Sequence, residues 1–312
     1  MADKKVIDVK KLKGSKLFVV DVSAMMRTNY VKLSTGSAED IFTGYHNKFK
    51  KKELSWEVDG ETFNTSALYG LLRIFAMYGF DNYYVFCFDT PKSSRKAESD
   101  SYKAGRVKAD QEYFDQVHVA RTMLENVGFL THAVEGYEAD DFIVETVNQN
   151  KEFFDHVFVV SNDFDMAQTV DENVYFKNVV KSRGDITKDN FETALKCPYN
   201  SILLYKALVG DKSDNIPGVK GFGPKAFYRF IDDENIYSDL VNIRKGRMEY
   251  NIIRDSVTLT DEKKKQALDS LRLVVPRVPK NYSEWGPRKQ IDRDLFEMYL
   301  RKYGMASIIA KL

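Results

Sequence analysis

The chain has 312 residues, 43% of them hydrophobic and 13% aromatic, which is enough for one large domain or two smaller ones and excludes a disordered chain. Two cysteines, Cys87 and Cys197, exclude a disulfide scaffold, and no stretch is apolar and long enough to span a bilayer or to act as a secretion signal. Net charge is +1, from 47 basic against 46 acidic residues, so a uniformly basic nucleic-acid binder is excluded as well. A protein of the reducing cytosol is expected.

Leu17 to Val20 is a continuous apolar run ending at Asp21, and Tyr83 to Phe88 is another ending at Asp89. Both read as buried parallel strands. Between them, Leu68, Leu71, Leu72 and Phe75 recur at helical spacing, which predicts a helix over Thr65 to Tyr78 stopped by Gly79. Residues 31 to 62 are polar, with glycines at 36, 44 and 60 and the basic run Lys48 to Lys52, and predict an inserted loop or small hairpin. A helix starting near Asp140 and a strand over Val157 to Val160 complete an alternating β/α pattern. From about Asn200 the pattern is helical, and residues 245 to 312 mix charge with apolar periodicity without a chemical motif.

The acids are not spread evenly. Asp21, Asp89, Glu138 with Asp140 and Asp141, Asp163 with Asp165, and Asp211 with Asp214 form five short clusters, most of them where a predicted strand ends or a helix begins. Taken singly, each is equally readable as a helix cap or a turn former. Together they lie along one edge of one sheet, outside the carboxyl ends of the strands where open α/β sheets gather ligands. So many acids at one rim repel unless cations lie between them, and oxygen donors suit hard divalent ions, Mg2+ or Mn2+. His46, His118, His132 and His156 are scattered outside these clusters, which disfavours zinc and a histidine base. With the nine acids set aside, 46 less nine leaves 37 acids against 47 bases, a basic body around an acidic pocket that suits a polyanion.

Two further signals point to phosphate. Gly218, Gly221 and Gly223, interleaved with Lys220 and Lys225, lie between the helical runs Ile202 to Val209 and Ala226 to Ile231. Such glycines let backbone amides approach a phosphate, although a plain packing corner between helices has the same signature. After Asp89 come Lys92, Arg95, Lys96, Tyr102, Lys103, Arg106 and Lys108, several of them three or four apart. That spacing predicts a helix with one basic face, either merely solvated or gripping phosphate with Tyr102 free to stack on a base.

These residues carry a resemblance. VVDVSA around Asp21, FDTPKSSRKAESDSYKAGR from Phe88, GYEADD from Gly136, SNDFD from Ser161 and GDKSDNIPGVKGFGPK from Gly210 resemble the 5′ nucleases that include phage flap endonucleases and the 5′ nuclease domain of bacterial DNA polymerase I. The resemblance covers residue 17 to the C-terminus. It implies a mostly parallel central sheet flanked by helices, a PIN-like core over 1–195 with a helical arch at about 90–118. A helical region over 196–312 would follow, with a helix-three-turn-helix at about 200–232. All nine acids match residues that hold two or more divalent ions in that family, which argues against an inactivated relative. Lys103 matches a lysine contacting the reacting phosphate, Arg106 and Asp163 join it as catalytic positions, and the Gly218 to Lys225 hairpin would hold downstream duplex around a K+ ion. The expected partners are branched DNA with a 5′ flap, 5′ ends and RNA–DNA primers, with replication proteins beside them and no membrane. A monomer acting in the cytosol, that of the host for a phage enzyme, is expected. The rival expectation is a protein that binds branched DNA without cutting it. Three departures stand out: the Asp89 to Arg95 spacing is one residue tighter than the common bacterial pattern, the 31–62 segment is longer, and no polymerase region follows, as in a stand-alone enzyme.

Overall fold

In the computed structural model of the chain, the structure describes residues 7–30, 55–106, 108–236, 247–279 and 290–312. The elements run β1 (Lys16–Asp21), α1 (Val22–Arg27), β2 (Ser55–Val58), β3 (Glu61–Asn64), α2 (Ser66–Tyr78), β4 (Tyr83–Cys87), α3 (Ser94–Glu98), α4 (Gln111–Val127) and β5 (Leu130–His132). After these come α5 (Ala139–Asn150), β6 (His156–Ser161), β7 (Val174–Asn178), α6 (Phe191–Leu195), α7 (Ile202–Val209) and α8 (Pro224–Asp233). The chain closes with α9 (Arg247–Asp255), α10 (Asp261–Val274), α11 (Arg293–Lys302) and α12 (Ala306–Ile309).

Five strands form one sheet in the order β5-β4-β1-β6-β7, with all four neighbouring pairs parallel. The chain builds outward from β1 to β4 and β5, then crosses to the other side for β6 and β7. The strand order therefore reverses between β1 and β6, which puts a crevice above their carboxyl ends. Both faces are covered, as an all-parallel sheet requires. Phe18, Val20, Phe86 and Phe158 point to one face and pack with Phe75, Phe129 and Phe296, while Leu17, Val19, Val85 and Val159 point to the other and pack with Phe142 and Ile143. Cys87 is fully buried in the second layer.

The expected strands and the α2 helix are present within a residue or two of their predicted limits. Gly79 ends α2 at φ 94°, a conformation that disfavours any side chain. Of the 31–62 insertion, residues 31–54 lie outside the described residues. Its end is a β2–β3 hairpin turned by Asp59 and Gly60, both at positive φ as a two-residue turn requires. Helices α7, α8 and α10 share a separate apolar cluster of Leu204, Leu208, Phe227, Phe230 and Leu271.

Within the 196–312 stretch, Phe296, Leu300 and Ile308 of α11 and α12 are buried in the layer that holds Phe75 and Phe80. Their apolar spacing fits the sheet unit, and the Asn126 amide donates to the Tyr299 hydroxyl at 2.8 Å across that contact. No helix among the described residues is long and apolar enough to cross a membrane.

Candidate active site

The acids collect above the β1–β6 crevice. Asp21 ends β1 and caps α1: its Oδ1 accepts the Ala24 amide at 2.9 Å, and its Oδ2 accepts the Ser161 hydroxyl at 2.7 Å from the adjoining strand. Ser161 Oγ also accepts the Asp163 amide at 3.0 Å, and Asp163 Oδ1 accepts the Asp165 amide at 3.0 Å. On the other flank, Asp89 Oδ1 accepts the Ala139 amide at 3.0 Å, which places Asp89 beside the start of α5 and hence beside Glu138 and Asp140. Asp165, Asp211 and Asp214 each offer an oxygen within 4.8 Å of the others. A small cavity lined by Tyr102, Asp140, Asp165, Asp214 and Ile216 opens among them.

The charges feel one another strongly. Burial, then the charge of Asp89, pushes the Asp21 carboxyl from its ordinary 3.8 up to about 7. Burial and Asp163 do the same to Asp165, again to about 7, in spite of Lys206. Asp140 is raised well above its ordinary value, first by burial and then by Asp163, Asp21 and Asp89, which together outweigh Lys103. Two unit charges 4 Å apart at an effective dielectric of about 20 interact by about 4 kcal/mol, so shifts of this size are what such crowding produces.

Four of the protein's own cations, Lys206, Lys103, Arg106 and Arg95, relieve part of this. Lys206 Nζ sits between Asp165 and Asp211. Lys103 Nζ donates to Glu138 Oε2 at 2.9 Å, and Arg106 Nη2 donates to Asp214 Oδ1 at 2.5 Å. For Glu138, burial alone would raise the carboxyl, yet Lys103 and Arg95 override it and hold it at about 2. Among the described residues no Lys or Arg pairs with Asp21, Asp89, Asp140 or Asp163. An all-oxygen donor set with this surplus of negative charge fits hard divalent cations.

The structure corrects several expectations. Both oxygens of Asp141 are occupied, by the Arg95 guanidinium at 2.6 and 3.0 Å, by the Glu138 amide at 3.0 Å and by the Arg277 amide at 2.8 Å. It orients its neighbours instead of offering a free oxygen. Arg95, expected on a DNA-facing surface, is 3% exposed and is the clamp on Asp141. Tyr102 is buried and donates its hydroxyl to Glu138 Oε2 at 3.1 Å, so its ring is not free to stack on a base.

Among the described residues the expected basic helical face over the arch is not formed. The chain leaves α3 at Ser99 in an extended conformation, takes positive φ at Lys103 and becomes helical again only at Gln111, behind the Asp110 cap. Ser99, Asp100, Ser101 and Gly105 are poor helix formers, and Lys103 and Arg106 pair with Glu138 and Asp214. Lys92 and Lys96 stay exposed, the former paired with Glu135 at 2.7 Å.

In the glycine hairpin the roles divide. Gly218 is buried at φ 65°, where a Cβ would lie 2.4 Å from the Gly210 nitrogen, so a glycine there allows close packing of the loop ends. Gly221 and Gly223 have open space where a side chain would be, and Lys220 and Lys225 are exposed beside them. Pro224 opens α8 at its first turn, where its missing N–H costs no helical hydrogen bond. Two site residues escaped the sequence reading. Lys206 carried a signal, a single cation inside the buried apolar run ILLYKALV, whereas Arg277 carried none.

Comparison with known proteins settles the family. The model of the 5′-3′ exonuclease N-terminal resolvase-like domain matches residues 16–196. The chain belongs to this 5′-3′ exonuclease family. It is 34% identical over 199 residues to DNA polymerase I of Caldicellulosiruptor bescii, covering 59% of this chain and 23% of that one. It is also 34% identical over 188 residues to a 5′-3′ exonuclease of Aquifex aeolicus, covering 59% of this chain and 64% of that protein. The chain thus spans about a quarter of the former and under two thirds of the latter. Among solved structures it shares its fold with bacteriophage T5 flap endonuclease, crystallised as a pseudo-enzyme-product complex with DNA and metal ions (TM-score 0.56, 17% identity, 95% of this chain and 98% of that one). The catalytic core of Rad2 bound to a DNA substrate is a second such neighbour (TM-score 0.53, 14% identity, 99% of this chain and 95% of that one). The parallel sheet with flanking helices is the fold shared with both of these structures.

Proposed function

We propose that the chain is a structure-selective, metal-dependent 5′ nuclease that hydrolyses phosphodiester bonds at 5′ flaps and 5′ ends of DNA, including RNA primers in replication. The observation that carries this is the set of crowded carboxylates, Asp21, Asp89, Asp140 and Asp163, left without a cationic partner of their own above the sheet crevice. Asp21, Asp89, Glu138, Asp140, Asp163, Asp165, Asp211 and Asp214 would hold divalent ions directly or through water, with Asp141 fixing the turn that presents Glu138 and Asp140. Bound there, Mg2+ or Mn2+ would lower the pKa of the attacking water and neutralise charge on the scissile phosphate. Lys103 and Arg106, already drawn to the carboxylates, provide positive charge that a phosphate entering the crevice meets.

The labour divides between two units. The sheet unit carries the reaction, and the α7–α8 hairpin holds duplex through the open backbone at Gly221 and Gly223 with Lys220 and Lys225 alongside. These are contacts to the DNA backbone, which fix position without reading sequence, so affinity falls steeply with salt. The test is a 5′-labelled flap incubated with and without Mg2+. Product that depends on Mg2+ is expected; a metal-independent gel shift with no product would overturn the reading in favour of a non-cleaving binder of branched DNA.

A further inference from the structure

The glycine hairpin and Lys103 belong to different units, yet a continuous run of hydrogen bonds joins them. The Gly218 amide donates to Ser270 Oγ at 3.1 Å and the Lys220 amide donates to Gln266 Oε1 at 3.0 Å, so the hairpin is tied to one face of α10 by two residues a turn apart. Helix α10 ends at Val274, and the chain continues as an extended strap through Val275 and Pro276. Along this strap the Val275 carbonyl accepts from Arg95 Nη2 at 3.0 Å, and the Arg277 amide donates to Asp141 Oδ1 at 2.8 Å. The Arg277 guanidinium then reaches both ends of α3, donating to Ser94 Oγ at 2.5 Å and to Glu98 Oε2 at 2.8 Å.

At its N-terminal end the short helix is also held by the backbone, the Ser94 amide donating to the Gly136 carbonyl at 3.0 Å and the Gly136 amide to the Lys92 carbonyl at 2.9 Å. Of the five residues of α3 only Arg95 is buried, and a helix of that length is not stable by itself. From α3 and Asp141 the network continues to Glu138, whose carboxylate takes the Tyr102 hydroxyl and the Lys103 ammonium. The side-chain tethers on α3 are thus the Arg95 clamp from within and Arg277 from without, and of these only Arg277 reaches its C-terminal end, at Glu98.

We propose that Arg277 is a positioning residue, which locks the Ser94–Glu98 helix to α10 so that duplex held at the glycine hairpin and Lys103 at the carboxylates keep one fixed separation. This rests on the nuclease reading above. Arg277 touches neither the carboxylates of the crevice nor the exposed face of the hairpin, and its effect passes through α3.

The decisive measurement is amide hydrogen exchange of the 94–106 segment with duplex DNA bound and no divalent ion present. In the wild type, duplex slows exchange in this segment. In Arg277→Ala, duplex binds with a Kd within about twofold of wild type, but the slowing is lost. On a flap with Mg2+, kcat of that variant falls by about tenfold to a hundredfold with KM little changed, the cost of a reacting group misplaced by about an ångström. Arg277→Lys, able to reach only one of the two partners, recovers part of both effects. Glu98→Gln, altered on an exposed side chain where folding is not at risk, gives a smaller change in the same direction. Duplex-induced slowing preserved in Arg277→Ala, or a loss of duplex affinity equal to the loss of kcat, overturns the proposal. Because exchange and duplex binding are read without cleavage, a wild type that never cuts would defeat the nuclease reading, while exchange would still decide whether Arg277 positions α3.

Discussion

The same sheet buries acid in two ways. At its β7 edge, Asp185 is 4% exposed and saturated: one oxygen accepts Lys177 Nζ at 2.6 Å and the Ile7 amide at 2.7 Å, and the other accepts the Asn178 amide at 3.1 Å. Above the β1–β6 crevice, Asp21 is 5% exposed, yet it is held by one amide and one hydroxyl while Asp89 and Asp163 push against it. A buried charge that serves structure is given its counter-charge; one left short of a counter-charge is held for something that arrives from outside.

Substitutions on the two sides of this contrast should therefore fail in opposite ways. Asp163→Ala is expected to lower flap cleavage on the order of a thousandfold, as the removal of a charge-stabilising group from a preorganised site does. Duplex affinity and melting temperature should change little, and comparing single-turnover rate with gel-shift Kd checks this. Equal loss of binding and cleavage would erase the proposed separation between crevice and hairpin.

Asp185→Ala should do the reverse. It leaves the Lys177 ammonium, 7% exposed, buried without its counter-charge, at a cost of about 3–5 kcal/mol. Denaturant unfolding should report that loss, while cleavage per folded molecule at low temperature stays near wild type.

Asp21→Asn probes the crevice through stability. With its folded value near 7 against 3.8 for the free side chain, Asp21 makes the metal-free protein less stable as pH rises from about 4 to 7, and the loss is complete above 7. Asn keeps the cap to the Ala24 amide and removes the charge. At pH 8 and without divalent ions the variant should be more stable than wild type, by up to about 4 kcal/mol. Mg2+ should then raise the melting temperature of the wild type far more than that of the variant. A metal-free wild type whose stability rises through this pH range would contradict the crowding.

Much of this is legible in the sequence. Strand-end acids such as Asp21 and Asp89 announce themselves because a parallel strand reads as an apolar run and its carboxyl end as the first polar residue after it. The hairpin glycines are legible as a group, since turns between helices favour them, but not individually. The separation of Gly218, which packs inside, from Gly221 and Gly223, which stay open, depends on how closely the chain returns to Gly210. The segment after Asp89 misleads for a related reason. Spacing alone favours a helix there, and only the positions of Glu138, Asp141 and Asp214, set by distant parts of the sequence, explain why Arg95, Lys103 and Arg106 turn inward. Arg277 is invisible because its partners, Ser94 and Glu98, are about 180 residues away and carry no motif of their own.

The smallest expected effect tests the outer end of the contrast. Lys220 is exposed, and its side chain is not among the ion pairs of the described residues, so replacing it by Ala should leave folding intact; its amide bond to Gln266 belongs to the backbone and survives the change. What is lost is one contact to the DNA backbone. Duplex Kd should weaken by a few fold, uniformly across sequences, and the slope of log K against log salt should shrink by about 1. Cleavage at saturating substrate should hardly move. If Lys220→Ala instead changed the slope by nothing while lowering kcat, the lysine would be acting on the reaction and not on the duplex, and the hairpin would have to be counted with the crevice.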